Sequence, residues 1–201
     1  MFVSRALGAL FPITCIGCGR RDVALCATCA PSERGQRIIA LGPFDVFALG
    51  RYTGTLRRAI LAYKRGRVDA GDALSALLAQ RVRSELARDA ILVPVPTVAR
   101  RSRERGFDQS VRLARGLEAG SERAVLLALV QTAGDAQRGR TRDARLATHG
   151  RFRCVSPGLV AEAEVVLVDD VMTTGATLRD CAHALESAGA VVTGAIVLAY
   201  A

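Results

Sequence analysis

The stretch VVLVDDVMTTGAT, residues Val165 to Thr177, decides how the chain is read. Four β-favouring aliphatic side chains run straight into two adjacent carboxylates, Asp169 and Asp170, and a cluster of threonines around Gly175 follows. An apolar run bounded in this way predicts a strand buried on both faces, as in a parallel sheet. Downstream, Leu178, Cys181, Leu185 and Ala188 recur at helical spacing, and Gly189 is suited to end that helix. Val191 to Leu198 reads as a final strand.

In an open parallel sheet, ligands collect beyond the carboxyl ends of the strands. Asp169 and Asp170 fall there, and Thr173, Thr174, Gly175 and Thr177 occupy the turn into the last helix. Free backbone N–H groups and the positive end of the helix dipole make such a turn an anion site. The hydroxyls add donors, and glycine lets the backbone approach closely. Two carboxylates beside that cradle would repel a phosphate unless they had another task, and adjacent acceptors suit a vicinal diol. A ribose 5-phosphate satisfies both halves, with its 2′ and 3′ hydroxyls on the aspartates and its phosphate in the threonine turn. The plainer alternative is an acidic turn capped by threonines. A phosphoacceptor receiver domain does not fit, since only 32 residues follow Asp169 (201 − 169). A Walker A loop does not fit either, for want of Gly-Lys-Ser/Thr.

Upstream, the same alternation of short apolar runs and amphipathic segments continues. Phe44 to Tyr52 is strand-like, and Asp72 is placed to cap a helix carrying Leu74, Leu77, Leu78, Val82 and Leu86. ILVPV, from Ile91, predicts a short buried strand ending near Pro96. Asp108 is placed to start a helix with Val111, Ala114 and Leu117 on one side, and AVLLALV, from Ala124, predicts the next strand. The expected fold is α/β, a mostly parallel sheet covered on both faces.

The chain has 201 residues, of which 50% are hydrophobic, enough for one ordinary domain and a small appendage. Its net charge of +9 favours phosphate-bearing partners, nucleotide or nucleic acid. Lys64 is the sole lysine among 28 basic residues, a skew that codon usage alone can produce. No run approaches the roughly 18 apolar residues of a membrane span. The opening MFVSRALGALFPITC is interrupted by Pro12 and is followed by no small-x-small cleavage site, so a cytoplasmic protein is expected.

Four of the six cysteines are packed as Cys15-x-x-Cys18 and Cys26-x-x-Cys29. Two such turns, each presenting a pair of thiolates, match the needs of tetrahedral zinc, and four thiolates close the shell, so the site is structural. The competing readings are a disulfide pair or a redox site. A reducing compartment disfavours the first, and a redox Cys-x-x-Cys is normally single and precedes a helix. Cys154 and Cys181 read as small buried hydrophobes. Pro31 to Gln36 is polar and reads as a linker, giving a zinc-binding module with its linker over residues 1–40 and a main domain over 41–201.

The acidic and threonine-rich stretch resembles the phosphoribosyl pyrophosphate motif of the phosphoribosyltransferases, and other segments narrow the resemblance to the ComF family. These are the two Cys-x-x-Cys pairs, Tyr63-Lys64-Arg65-Gly66-Arg67, VPVP from Val93 to Pro96, and RRSRERGFDQ from Arg100 to Gln109. The resemblance implies a sheet of the type I phosphoribosyltransferase kind, with phosphoribosyl pyrophosphate or a related nucleotide bound by Asp169, Asp170, Thr173, Thr174, Gly175 and Thr177. It also implies Mg2+ carried with the pyrophosphate. Lys64, Arg100, Arg101 and Arg105, with Arg103 beside them, are the candidates for contact with pyrophosphate or nucleic acid. Gln131 to Phe152, long, polar and basic, resembles the hood that closes over such sites.

The family usually has asparagine where Asp108 and Thr148 stand, which bears on the hood and its surroundings. Oxopurine enzymes commonly keep an aspartate where Thr173 stands, so the resemblance points away from purine salvage. It points instead to natural competence and DNA uptake, with single-stranded DNA and DNA-processing proteins as partners. The alternative is an active transferase of nucleotide metabolism with an unidentified acceptor base.

Overall fold

The computed structural model of the chain describes residues 13–82, 90–97, 108–119, 123–132 and 150–201. Among these residues, seven strands run in chain order as β1 (Arg37–Ala40), β2 (Asp45–Ala48), β3 (Ile91–Pro94), β4 (Leu129–Gln131), β5 (Phe152–Cys154), β6 (Glu164–Met172) and β7 (Val191–Tyr200). The helices are α1 (Gly54–Lys64), α2 (Val68–Val82), α3 (Gln109–Glu118), α4 (Pro157–Val160) and α5 (Ala176–Glu186).

The aliphatic run of β6 forms the interior of a five-stranded sheet of order β1-β2-β7-β6-β3. The β2–β7, β7–β6 and β6–β3 pairs are parallel, and only the edge strand β1 is antiparallel. Val165, Val166, Leu167 and Val168 are all fully buried because helices cover both faces. Val165 and Leu167 meet Leu178, Cys181 and Leu185 of α5 on one face. Val166 and Val168 meet Ile60 and Tyr63 of α1, Leu74 and Leu78 of α2, and Leu113 of α3 on the other. This is the period-two alternation of a strand with an apolar layer on each side, and the expected α/β class is borne out.

Three local details differ from the sequence expectation. The second helix starts at Val68, with Asp69 in its first turn, and Asp72 lies inside it, exposed and bonded to Arg112. The reason is local: Gly66 adopts φ +97, which ends α1, and Arg67 then pairs with Asp69 at the new helix start. Leu86 lies outside the described residues. AVLLALV is not one strand: Val125 bridges Leu92 at the edge of the main sheet, and Leu129–Gln131 then pairs antiparallel with β5. Regular pairing in the Phe44–Tyr52 segment is confined to Asp45–Ala48, with Arg51 adding one bridge to Tyr200.

The cysteine knuckle is fastened to the rest of the fold by Arg67, just before α2, and by Arg81 within it. Arg67 Nη2 donates to the Thr14 carbonyl at 3.0 Å, and Arg81 Nη2 to the Pro31 carbonyl at 3.3 Å. Ile16 and Leu25 pack against the core beneath α1 and α2. The expected linker contains a single 3-10 turn, Glu33–Gly35, before β1 joins the sheet.

Candidate functional site

Asp169 and Asp170 lie in the last four residues of β6, which continues pairing with β7 as far as Met172 and Tyr200. Successive strand residues leave the strand on opposite sides, yet the Asp170 charge is near enough to raise the Asp169 carboxyl, so a ligand reaching both must lie across the end of the strand. Asp169 Oδ1 accepts from the backbone N–H of Asp170 at 2.8 Å. Asp170 Oδ2 lies 2.8 Å from Nζ of Lys64, the last residue of α1. Tyr63, the preceding residue, is fully buried and donates its hydroxyl to the Gln109 carbonyl at 3.0 Å, anchoring that end of α1 to α3. Its ring packs so tightly on Gly71 that no Cβ fits there.

Burial pushes the Asp169 carboxyl up to about 7, and the charge of Asp170 adds to the shift. The Asp170 N–H and the Lys64 ammonium oppose it, while Asp108 reinforces it. Asp108 is itself a structural cap: Oδ1 accepts from Ser110 N–H at 3.0 Å and Val111 N–H at 3.3 Å. Its Oδ2 accepts from Thr97 N–H at 3.1 Å, tying the exit of β3 to the start of α3.

The threonine turn follows directly. Gly175 holds φ +73 against Leu41, so it combines a left-handed backbone with a contact that leaves no room for a side chain. Thr173 and Thr174 are exposed, and Thr177 is half-buried in the first turn of α5. Thr174 Oγ1 accepts from Ala176 N–H at 3.4 Å, and Arg179 Nη2 donates to the Thr174 carbonyl at 3.0 Å. First-turn N–H groups of an 11-residue helix therefore open onto hydroxyls and a guanidinium. The turn offers anion donors, and the strand end beside it offers acceptors.

The sequence places Lys64 only as an isolated contact candidate, whereas the fold brings it onto Asp170. The role of Asp108 toward Thr97 has no signal in the sequence, since it depends on tertiary placement, and Arg179, though only five residues from Thr174, is not singled out by the sequence. Arg100, Arg101, Arg103 and Arg105 lie outside the described residues. Of Gln131 to Phe152, only Gln131, Thr132 and Gly150 to Phe152 are described.

At the other end of the chain, the ligand atoms of Cys15, Cys18, Cys26 and Cys29 all lie within 4.8 Å of one another, with Cys18 and Cys26 Sγ 3.7 Å apart. The edge of a tetrahedron with zinc–sulfur bonds of 2.3 Å is about 3.8 Å, so the donor set fits zinc. The electrostatics agree. Backbone donors, Cys26 N–H first, hold Cys15 down to about 6, while the neighbouring Cys26 sulfur pushes Cys29 up to about 12. Four thiolates this close repel unless a cation sits among them. Gly17 presses against Cys29 with no space for a Cβ, which explains a glycine inside the first Cys-x-x-Cys turn. No comparable group of three or more metal ligands forms around Asp169 among the described residues. No helix among them is long and apolar enough to cross a membrane.

The family described as "Phosphoribosyl transferase domain" matches residues 71–201. The orotate phosphoribosyltransferase of Pyrobaculum islandicum is 43% identical over 49 residues, 24% of this chain and 25% of that protein. Among solved structures, an allosteric regulatory enzyme of purine biosynthesis is similar at TM-score 0.49 and 20% identity, over 64% of this chain and 26% of that one. Glutamine phosphoribosylpyrophosphate amidotransferase from B. subtilis, complexed with ADP and GMP, is similar at TM-score 0.48 and 21% identity, over 65% and 27%. The matches thus span about a quarter of the length of each of these relatives. With the family match covering well over half of the chain and running through the strand, the acidic pair and the threonine turn, this protein belongs to the phosphoribosyl transferase domain family.

Proposed function

We propose that the chain binds phosphoribosyl pyrophosphate, or a related nucleotide, at the carboxyl end of β6. In this reading the ribose hydroxyls rest on Asp169 and Asp170, and the 5-phosphate on Thr173, Thr174, Gly175 and Thr177. The observation that carries it is the adjacency of two carboxylate acceptors to a donor-rich helix start, held by a left-handed glycine. The orotate enzyme that is 43% identical to this chain over 49 residues is by name a phosphoribosyltransferase, which supports the same ligand class.

Lys64 has two tasks in this reading. It balances Asp170 in the free protein, and it supplies a cation toward a pyrophosphate group arriving beside the strand end. Mg2+ would be held chiefly by the phosphates, because Asp170 is engaged by Lys64 and no cage of carboxylates surrounds the site among the described residues. When bound, the ion would neutralise pyrophosphate charge. The four cysteines hold zinc as a structural centre that secures the knuckle against α2.

The chain's combination of a cysteine knuckle with this site supports assignment to the ComF type, a cytoplasmic protein acting in natural competence and DNA uptake. Thr173 stands where an oxopurine enzyme would keep its acid, which favours a binding or accessory role over transfer. The test is to offer zinc-loaded protein phosphoribosyl pyrophosphate and Mg2+ with a panel of bases. Saturable binding without pyrophosphate release is expected. Base-dependent release would establish the transferase reading, and absence of binding would remove both.

A further inference from the structure

At the opposite end of α1 from Lys64, a cavity of about 390 Å³ opens between the cysteine knuckle and the carboxyl ends of β2 and β7. The cavity and the Lys64–Asp170 pair share the carboxyl edge of the sheet, Tyr200 pairing with Met172, but they lie at opposite ends of α1, an 11-residue helix about 16 Å long. Arg37, Arg51, Ser32, Thr53, Thr55 and Tyr200 supply its polar lining, and among the described residues no aspartate or glutamate contributes to its walls. Arg37 is held in place, with Nη1 donating to the Arg34 carbonyl at 3.0 Å and the Gln36 carbonyl at 2.7 Å. Among the described residues, neither Arg37 nor Arg51 pairs with a carboxylate, unlike Arg67, Arg112, Arg115 and Arg151, each of which does. Two uncompensated guanidiniums on one concave surface set up a positive potential that an anion relieves, and guanidinium geometry suits phosphate oxygens.

We propose that this cleft is a second ligand site, taking a phosphomonoester of nucleotide size such as a nucleoside monophosphate. The phosphate would lie on Arg37 and Arg51. The three hydroxyls offer hydrogen bonds to a sugar, and the half-buried Tyr200 offers a wall for a ring. The volume lies within the range of small-molecule sites, about 300–1,000 Å³, and leaves room well beyond a bare phosphate. The Cys29 side of the knuckle forms one wall, so the site depends on an intact cysteine centre.

Calorimetric titration of zinc-loaded full-length protein with adenosine 5′-monophosphate and, separately, with inorganic phosphate tests this. With the β6 site already filled by phosphoribosyl pyrophosphate and Mg2+, the nucleotide is expected to saturate one further site, more tightly than phosphate. Arg51→Gln and Arg37→Gln should each weaken it about ten- to a hundredfold, as loss of a charge-assisted contact implies. Arg51 is exposed, so its variant should keep the wild-type melting temperature and zinc content. Asp169→Asn/Asp170→Asn should leave this binding unchanged, which separates the cleft from the site on β6. Unchanged affinity in a correctly folded Arg51→Gln protein would overturn the proposal, as would no saturation at millimolar nucleotide. Loss of binding in the aspartate variant alone, or phosphate binding as tightly as the nucleotide, would overturn it too.

Discussion

Lys64 Nζ and Asp170 Oδ2 stand 2.8 Å apart, joining the end of α1 to the carboxyl end of β6 across 106 positions of sequence (170 − 64). Both side chains are mostly buried, 24% and 16% exposed, so the pair is shielded more than a surface ion pair. It offsets one of two adjacent carboxylates and leaves the other, Asp169, with its proton affinity raised.

Replacing Lys64 with methionine keeps the length of the side chain and removes the charge. Asp170 is then left without its cation, and the variant should lose about 1–3 kcal/mol, between the values for exposed and buried pairs. The Asp169 titration should also move above about 7, because Lys64 is one of the groups opposing the shift. Urea unfolding and carboxyl NMR measure the two effects. An unchanged Asp169 titration would mean that the ammonium does not reach the pair in solution.

The pH dependence of stability follows from Asp169. Its carboxyl is raised from 3.8 to about 7, chiefly by burial, so between those values the folded chain holds more protons than the unfolded one. Stability from this group is therefore greatest below the ordinary carboxylate value, falls as pH rises toward about 7, and levels off above it. Asp169→Asn removes the buried charge and should raise stability at pH 8 by about 1–3 kcal/mol, with little gain at pH 4. Equal gains at both pH values would contradict the buried-charge account.

Asp108→Ala removes three acceptor contacts at once and should cost about 1–2 kcal/mol as a lost cap, with Asp108→Asn retaining much of the stability. Chemical denaturation distinguishes the two. If alanine and wild type unfold alike, the cap is not formed in solution.

The cysteine centre should carry about one zinc per chain. Cys26→Ser should release it and loosen the contact of the knuckle with α2, while the sheet persists. Elemental analysis and hydrogen exchange over residues 13–30 check this. Protein purified under reducing conditions without zinc would end the assignment.

Strands β2, β3, β6 and β7 were legible in the sequence as short aliphatic runs ending in distinctive residues, whereas β1, Arg37–Ala40, falls in the stretch read as module and linker. Val165 to Val168 predicts a doubly covered strand, and Gly175 among threonines predicts the turn that follows. What was not legible depends on contacts distant in sequence. Asp72 has the chemistry of a cap, but the left-handed Gly66 and the Arg67–Asp69 pair start the helix four residues earlier. AVLLALV has the composition of a single strand, yet its two halves serve different partners, Leu92 and β5. The pairing of Lys64 with Asp170 has no local signature, since a lysine at a helix end is equally suited to face water.

The account turns on whether Asp169 and Asp170 hold a ribosyl phosphate ligand. Calorimetry of phosphoribosyl pyrophosphate with Mg2+ against wild type and Asp169→Asn/Asp170→Asn measures this directly. Each hydrogen bond to an ionised acceptor is worth roughly 1.5–3 kcal/mol, so the double variant should bind at least about tenfold more weakly. The wild type should bind better as pH rises through about 7 and Asp169 ionises. Equal affinity in the two proteins would place the ligand elsewhere and contradict the account.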